Sequence, residues 1–96
     1  MVHVDAQGDT VTLTLDGRFD HRAVREFKQV FTLSPQLWIV DLSRVEYVDS
    51  AALGTLLLLR ELASDDPRRV HVRGVRGQPK AVLMMAKFDR LFTMIA

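Results

Sequence analysis

The sequence contains no cysteine, which removes disulfides, thiolate metal sites and cysteine nucleophiles from consideration. Stability must come from packing. Charge of one sign is equally lacking: 13 Lys and Arg stand against 12 Asp and Glu, a formal net charge of +1. No strong field therefore draws the chain to nucleic acid or to an anionic membrane. Long apolar runs are missing too. The longest, around Ala51 to Leu59, is roughly half of what a bilayer span requires. Met1 to Gln7 alternates apolar and polar residues and lacks the basic start and apolar stretch of a signal peptide, so a cytoplasmic protein with no membrane insertion is expected.

Catalytic signatures are also absent. No GxSxG, GxGxxG or Walker-type run occurs, and Gly74-Val75-Arg76-Gly77 has neither the lysine nor the spacing of a phosphate loop. His3, His21 and His71 fall on different expected elements without metal-ligand spacing. Asp41 and Asp49 read as a strand end and a helix start, where turns and caps favour acids, and not as a catalytic pair. Arg68, Arg69, Arg73, Arg76 and Lys80 make a basic stretch with no interleaved aromatics, so base stacking is not expected there. A solvated strand edge is expected instead. The expectation is a protein that is not an enzyme and takes no cofactor or metal.

With 96 residues, 48% of them hydrophobic, the chain suits one domain spanning 1–96. Val2 and Val4, then Val11, Leu13 and Leu15, alternate with polar residues across Gln7, Gly8 and Asp9, the pattern of an antiparallel hairpin. Gly17 is expected to end that pattern, and Asp20 to cap a helix whose Ala23, Val24, Phe27, Val30 and Phe31 share one arc. After Ser34 and Pro35, the run Leu37 to Leu42 reads as a central strand covered on both faces, with Ser43 to Val48 an irregular or extended connection. Asp49 and Ser50 open a helix to about Ala63, with Ser50 read as its N-cap and Asp49 as a first-turn acid. Val70, Val72 and Val75 mark another strand. Gly74, Gly77 and Pro79 lead into a further helix, with Pro79 suited to its first position, and a last short helix begins near Asp89. The order implies an α/β fold: a mixed sheet of four to five strands packed with about four α-helices.

Projected at about 100° per residue, Ala52, Leu56, Leu59, Leu62 and Ala63 share the core arc of the second helix. Leu53 and Leu57 project instead with Ser50, Arg60, Glu61 and Ser64. Either the C-terminal helix covers these two leucines, or they form an apolar patch beside the Ser50 turn suited to a docking partner. The N–H groups that open this helix favour negative charge. Ser50 is therefore either a cap alone or a hydroxyl that accepts a phosphoryl group.

Asp41-Leu42-Ser43, followed by Val48-Asp49-Ser50-Ala51-Ala52-Leu53-Gly54 and a leucine-rich helix, resembles the signature of STAS domains, the bacterial anti-sigma factor antagonists. Gly17-Arg18-Phe19-Asp20 resembles the family's turn before its first helix, and Lys87-Phe88-Asp89-Arg90-Leu91-Phe92 its C-terminal ending. The resemblance implies partner switching. An unphosphorylated antagonist binds an anti-sigma factor, often a serine kinase, phosphorylation at the helix start releases it, and a phosphatase restores binding. It places the partner-binding surface at Asp20, Asp49, Ser50, Ala51, Leu53, Gly54 and Leu57. The family's phosphoacceptor hydroxyl falls at position 51, which here is Ala51. The chain is then an engineered non-phosphorylatable form, a natural form locked for binding, or one in which Ser50 has taken over. A second function with the same signature is that of a cytoplasmic STAS accessory subunit of a lipid-transporting ABC complex.

Overall fold

The computed structural model describes residues 2–96; Met1, which heads the N-terminal segment discussed above, lies outside them. Val2–Gln7 (β1) and Thr10–Phe19 (β2) form the expected antiparallel hairpin, turning at Gly8 and Asp9. His21–Lys28 (α1) follows and tightens into a 3₁₀ turn over Gln29–Thr32. The chain continues through Leu37–Val48 (β3), Ser50–Leu62 (α2), Val70–Arg73 (β4), Gly77–Met85 (α3) and Thr93–Ile95 (β5). The five strands lie side by side in chain order, with every pair after the hairpin parallel.

The alternation seen in the sequence decides which face is buried. Val11, Leu13 and Leu15 of β2, Trp38, Val40 and Leu42 of β3, and Val70 and Val72 of β4 point to one side and are almost fully buried. Phe19, Phe27, Leu56, Leu59 and Leu83 close that core, with Phe19 and Phe27 stacked at 5.4 Å between ring centroids. The opposite face stays open, which corrects the expectation that β3 is covered on both sides. Ile39, Asp41 and Ser43 are only half-buried there. The near-continuous apolar run of β3 misled because Leu37 and Ile39 are aliphatic yet lie on the open face, in register with Thr10 and Thr12.

Several expected boundaries shift. Of the two expectations for Ser43 to Val48, the extended one holds: it is the second half of β3 and pairs with β2 as far as Phe19, with register shifts along the way. Gly17 does not end β2. It sits inside the strand at φ +68°, between two register shifts, and provides the left-handed residue that such irregularities favour. The last short helix is a three-residue 3₁₀ turn, Phe88–Arg90, so three α-helices occur among the described residues where about four were expected. Pro79 is the third residue of α3, not the first. β5 was not anticipated, since three residues carry too little alternation to recognise. β4 is consequently interior, and neither Arg73 within it nor Arg69 just before it guards an edge. Arg73 pairs with Asp41 across the sheet at 2.9 Å, and Arg69 donates to the carbonyls of Pro35 and Gln36.

Candidate partner-docking site

The parallel register of β2 and β3 aligns Phe19 with Val48. The residue that follows each strand, Asp20 or Asp49, is the N-cap of the next helix. Two helix starts therefore emerge side by side, each capped by an aspartate whose side chain accepts backbone N–H bonds that the helix leaves unpaired. Asp20 accepts from the Arg22 amide at 3.0 Å. Asp49 accepts from Ala51 at 2.9 Å and Ala52 at 3.2 Å. The roles expected at the second junction are thus exchanged: Asp49 is the cap and Ser50 the first helical residue.

The surroundings of the two caps differ. Asp20 is 5% exposed and clasped by Arg22 at 2.9 Å and Arg18 at 3.5 Å. The side-chain hydrogen bond from Arg22, joined by its backbone bond, its charge and the bond from Arg18, outweighs burial and holds the Asp20 carboxyl well below the ordinary carboxylate range. Arg18 also stacks on Tyr47, 4.1 Å from the ring centroid. At the second junction Ser50 is exposed and Ala51 half-buried. Val48, just before the cap, is held by Gln78 of α3, which accepts from the Val48 amide at 2.9 Å and donates to its carbonyl at 3.0 Å.

Along α2 the solvent-facing side carries Ser50, Gly54, Leu57, Leu58 and Glu61, all exposed. A Cβ built on Gly54 meets nothing within 4 Å, so this turn leaves open space for an approaching surface. Leu57 is 41% exposed, while Leu53 is half-buried and packs against the core. The two leucines expected together are therefore divided, one mostly packed and one open. Leu62 was expected in the core but is 48% exposed, and buried Thr55 takes its place on the inner arc. Thr55 is accommodated because its hydroxyl donates to the Ala51 carbonyl at 2.8 Å. Leu58, also open, was not singled out. The leucine count was the available signal, since consecutive leucines from Leu56 to Leu59 cannot all face one arc of about 100°.

Among the described residues no cluster of three His, Cys, Asp or Glu is arranged to hold a metal ion, and no helix is long and apolar enough to cross a membrane. A cleft of about 540 Å³ lies on the open sheet face, lined by residues that include His3, Asp41, Ser43 and Arg44. Its carboxylate is committed: Asp41 accepts from the Ser43 amide and hydroxyl at 2.9 and 2.7 Å and from Arg73. Burial opposes the charge on Asp41, yet the bonds from Ser43 and Arg73 together hold its carboxyl below the ordinary value. Gly74 seals this corner, since a Cβ there would stand 2.8 Å from that of Ser43. The Asp-Leu-Ser motif is thus a clamp between strands, remote from the α2 start.

The family description "Mlab, STAS domain" matches residues 2–95. The chain belongs to the STAS family. A STAS-domain-containing protein of Pseudomonas aeruginosa is 32% identical to this STAS domain over 90 residues, covering 91% of this chain and 89% of that one. A Thermotoga maritima protein assigned as an anti-sigma factor antagonist superposes with a TM-score of 0.86 at 19% identity, over 99% of this chain and 86% of its own. The Bacillus anti-sigma factor antagonist SpoIIAA, in its unphosphorylated form, superposes with a TM-score of 0.75 at 17% identity, over 100% and 87%. At such identities the two structures establish the shared fold.

Proposed function

We propose that this STAS domain acts as a single cytoplasmic unit, an anti-sigma factor antagonist that binds an anti-sigma factor or serine kinase through the start of α2. The observation that carries this reading is the open stripe that runs from Ser50 at the start of α2 past Gly54 to Leu57, about two turns along the helix and 41% exposed. An apolar side chain flanked by small residues suits a docking anchor. The surface combines Asp49, Ser50, Ala51, Leu53, Gly54 and Leu57, with Asp20 fixing the neighbouring turn.

Ala51 gives this domain its character. In related antagonists a phosphoryl group at this position would add close to two negative charges to the interface, at a cost in desolvation and repulsion. Alanine offers no hydroxyl, so the domain is held in its binding form and a cognate phosphatase has nothing to remove. Ser50 does not replace it: its side chain points about 100° away around the helix, and a phosphate there would lie close to the Asp49 carboxylate.

The test is co-purification and titration with the candidate serine kinase or anti-sigma factor. Leu57→Asp is expected to weaken binding by about 30-fold or more, as hot-spot anchors do, while thermal stability changes little. Unchanged affinity in a folded Leu57→Asp protein removes the proposed surface. Ala51→Ser is expected to create a kinase substrate, with no incorporation into the unaltered chain. Strong labelling of Ser50 overturns the locked-form reading, and co-purification with a membrane ATPase instead of a kinase transfers the domain to the transport role.

A further inference from the structure

We propose that the outer edge of β1 pairs with the same edge of a second copy of this chain, joining two five-stranded sheets into one across a two-fold axis at Val4. β2 separates β1 from β3 in the sheet, so this edge is distinct from the start of α2, and the pairing goes beyond the partner-docking reading.

The two edges of the sheet differ. β5 carries only three residues, and shortness is one way in which proteins blunt an edge against further pairing. β1 has six residues, no proline, no lysine and no register shift against β2, and every residue from His3 to Gln7 is exposed. The Val2 amide donates to Glu26 of α1 at 2.8 Å and is therefore turned away from β2. Alternation in an antiparallel pair turns the amides and carbonyls of Val4 and Ala6 the same way. Among the described residues no hydrogen bond from outside the hairpin reaches Val4 or Ala6.

The side chains of β1 are complementary to themselves. Antiparallel pairing about Val4 sets Val4 beside the partner's Val4 and His3 opposite the partner's Asp5, with Asp5 opposite the partner's His3 by symmetry. Each Val4 amide then bonds the facing Val4 carbonyl, and each Ala6 amide the partner's Val2 carbonyl. His3 and Asp5 fall at the positions without main-chain bonds, where facing side chains come closest. Both lie on the open sheet face, beside Thr14 and Thr12 of β2, and among the described residues neither forms an ion pair within the chain. Val4 lies on the helical side with Leu13, yet it is 39% exposed, and the pairing covers it with its twin. Charge selects this register. An axis at Asp5 would press two carboxylates together, and one at His3 would set two imidazoles together and leave each Asp5 without a cation. A two-fold pairing also closes on itself, so it yields a dimer and not a fibre.

The full chain is followed by sedimentation and by NMR amide exchange over a range of concentrations. A weak dimer is expected, as interfaces below about 1,200 Å² give, with exchange at Val4 and Ala6 slowing as concentration rises. Val4→Pro removes an outward N–H and no bond of the hairpin, at an edge position where proline is tolerated, and should abolish the dimer while the fold persists. His3→Glu and Asp5→Lys should each weaken the dimer about tenfold, because two facing pairs lose their attraction. An equimolar mixture of these two variants should recover a mixed dimer, since every facing pair is again acidic against basic. If Val4→Pro fails to fold, the charge variants and their mixture decide. A chain still monomeric at about 1 mM, a dimer that survives Val4→Pro, no recovery in the mixture, or exchange at Val4 and Ala6 that ignores concentration would each overturn the proposal. Leu57→Asp, which tests the α2 surface, should leave the dimer intact. Loss of the dimer in that variant would move the contact to α2 and overturn the edge pairing.

Discussion

The β2–α1 and β3–α2 junctions have the same architecture and opposite finishes. Each runs from a buried apolar residue, Phe19 or Val48, into an aspartate cap and a helix, and the two stand side by side in register. The first is closed: Phe19 stacks on Phe27, and Asp20 is buried under two arginines. The second is open. Asp49 carries a comparable cap, but small residues follow it and no guanidinium covers it among the ion pairs of the described residues. A cap covered by salt bridges has no face left for a partner, whereas a cap followed by Ser50, Ala51 and Gly54 does. The first junction is sealed by its own side chains, and the second is left open.

This contrast can be broken most forcefully at Phe19. Phe19→Ala removes a fully buried ring and is expected to cost about 3–5 kcal/mol, measured by urea unfolding. A loss no larger than that of Val48→Ala would mean that the closed junction is not the stiffer one. Next come the caps. Asp49→Ala should lower stability by about 1 kcal/mol through its unpaired helix amides, and Asp20→Ala should lower the urea midpoint further, because Arg18 and Arg22 lose their shared partner as well. The reverse order would remove the distinction between the two sites.

The smallest effect is in acid. Asp20 has a folded pKa below its ordinary value, so its contribution to stability is present above the ordinary carboxylate range and is lost as pH falls through the folded value. The stability gap between the unaltered chain and Asp20→Asn should therefore be widest near neutrality and should narrow below the ordinary value of 3.8. Asp66 titrates in the same direction, lowered to about 2 by its hydrogen bonds from Arg68, and remains in both proteins, so it cancels in the comparison. A gap independent of pH would show that the arginines do not act through the Asp20 charge.

How much of this was legible in advance varies with the length over which a pattern repeats. The hairpin could be read because valine and leucine alternate with polar residues over a strand of 10 residues, and α1 because its apolar residues keep one arc. Asp20 was recognisable as a cap by position alone. β5, with only Thr93, Met94 and Ile95, was not, and the inner arc of α2 was misread at Thr55 and Leu62. A hydroxyl that can bond back to the helix backbone is tolerated in a core where composition alone would place a leucine. The open-face position of Ile39 was hidden for a related reason, since residue type does not reveal whether a second layer exists to cover it. Of the candidate site, Asp49, Ser50, Ala51, Gly54 and Leu57 could be named beforehand. Gln78 and Tyr47 could not, because their contacts join distant parts of the chain.

Local chemistry along the chain was sufficient to determine most of the alternation of strands and helices, the presence of an aspartate at the starts of α1 and α2 and the missing hydroxyl at position 51, because caps and periodicity act over a few neighbouring residues. Tertiary structure alone decided which aspartate would be sealed and which left open, and which of the α2 leucines would face water. Those outcomes depend on the register between β2 and β3 and on where α1 and α3 settle beside α2, and both are set by packing the whole core at once.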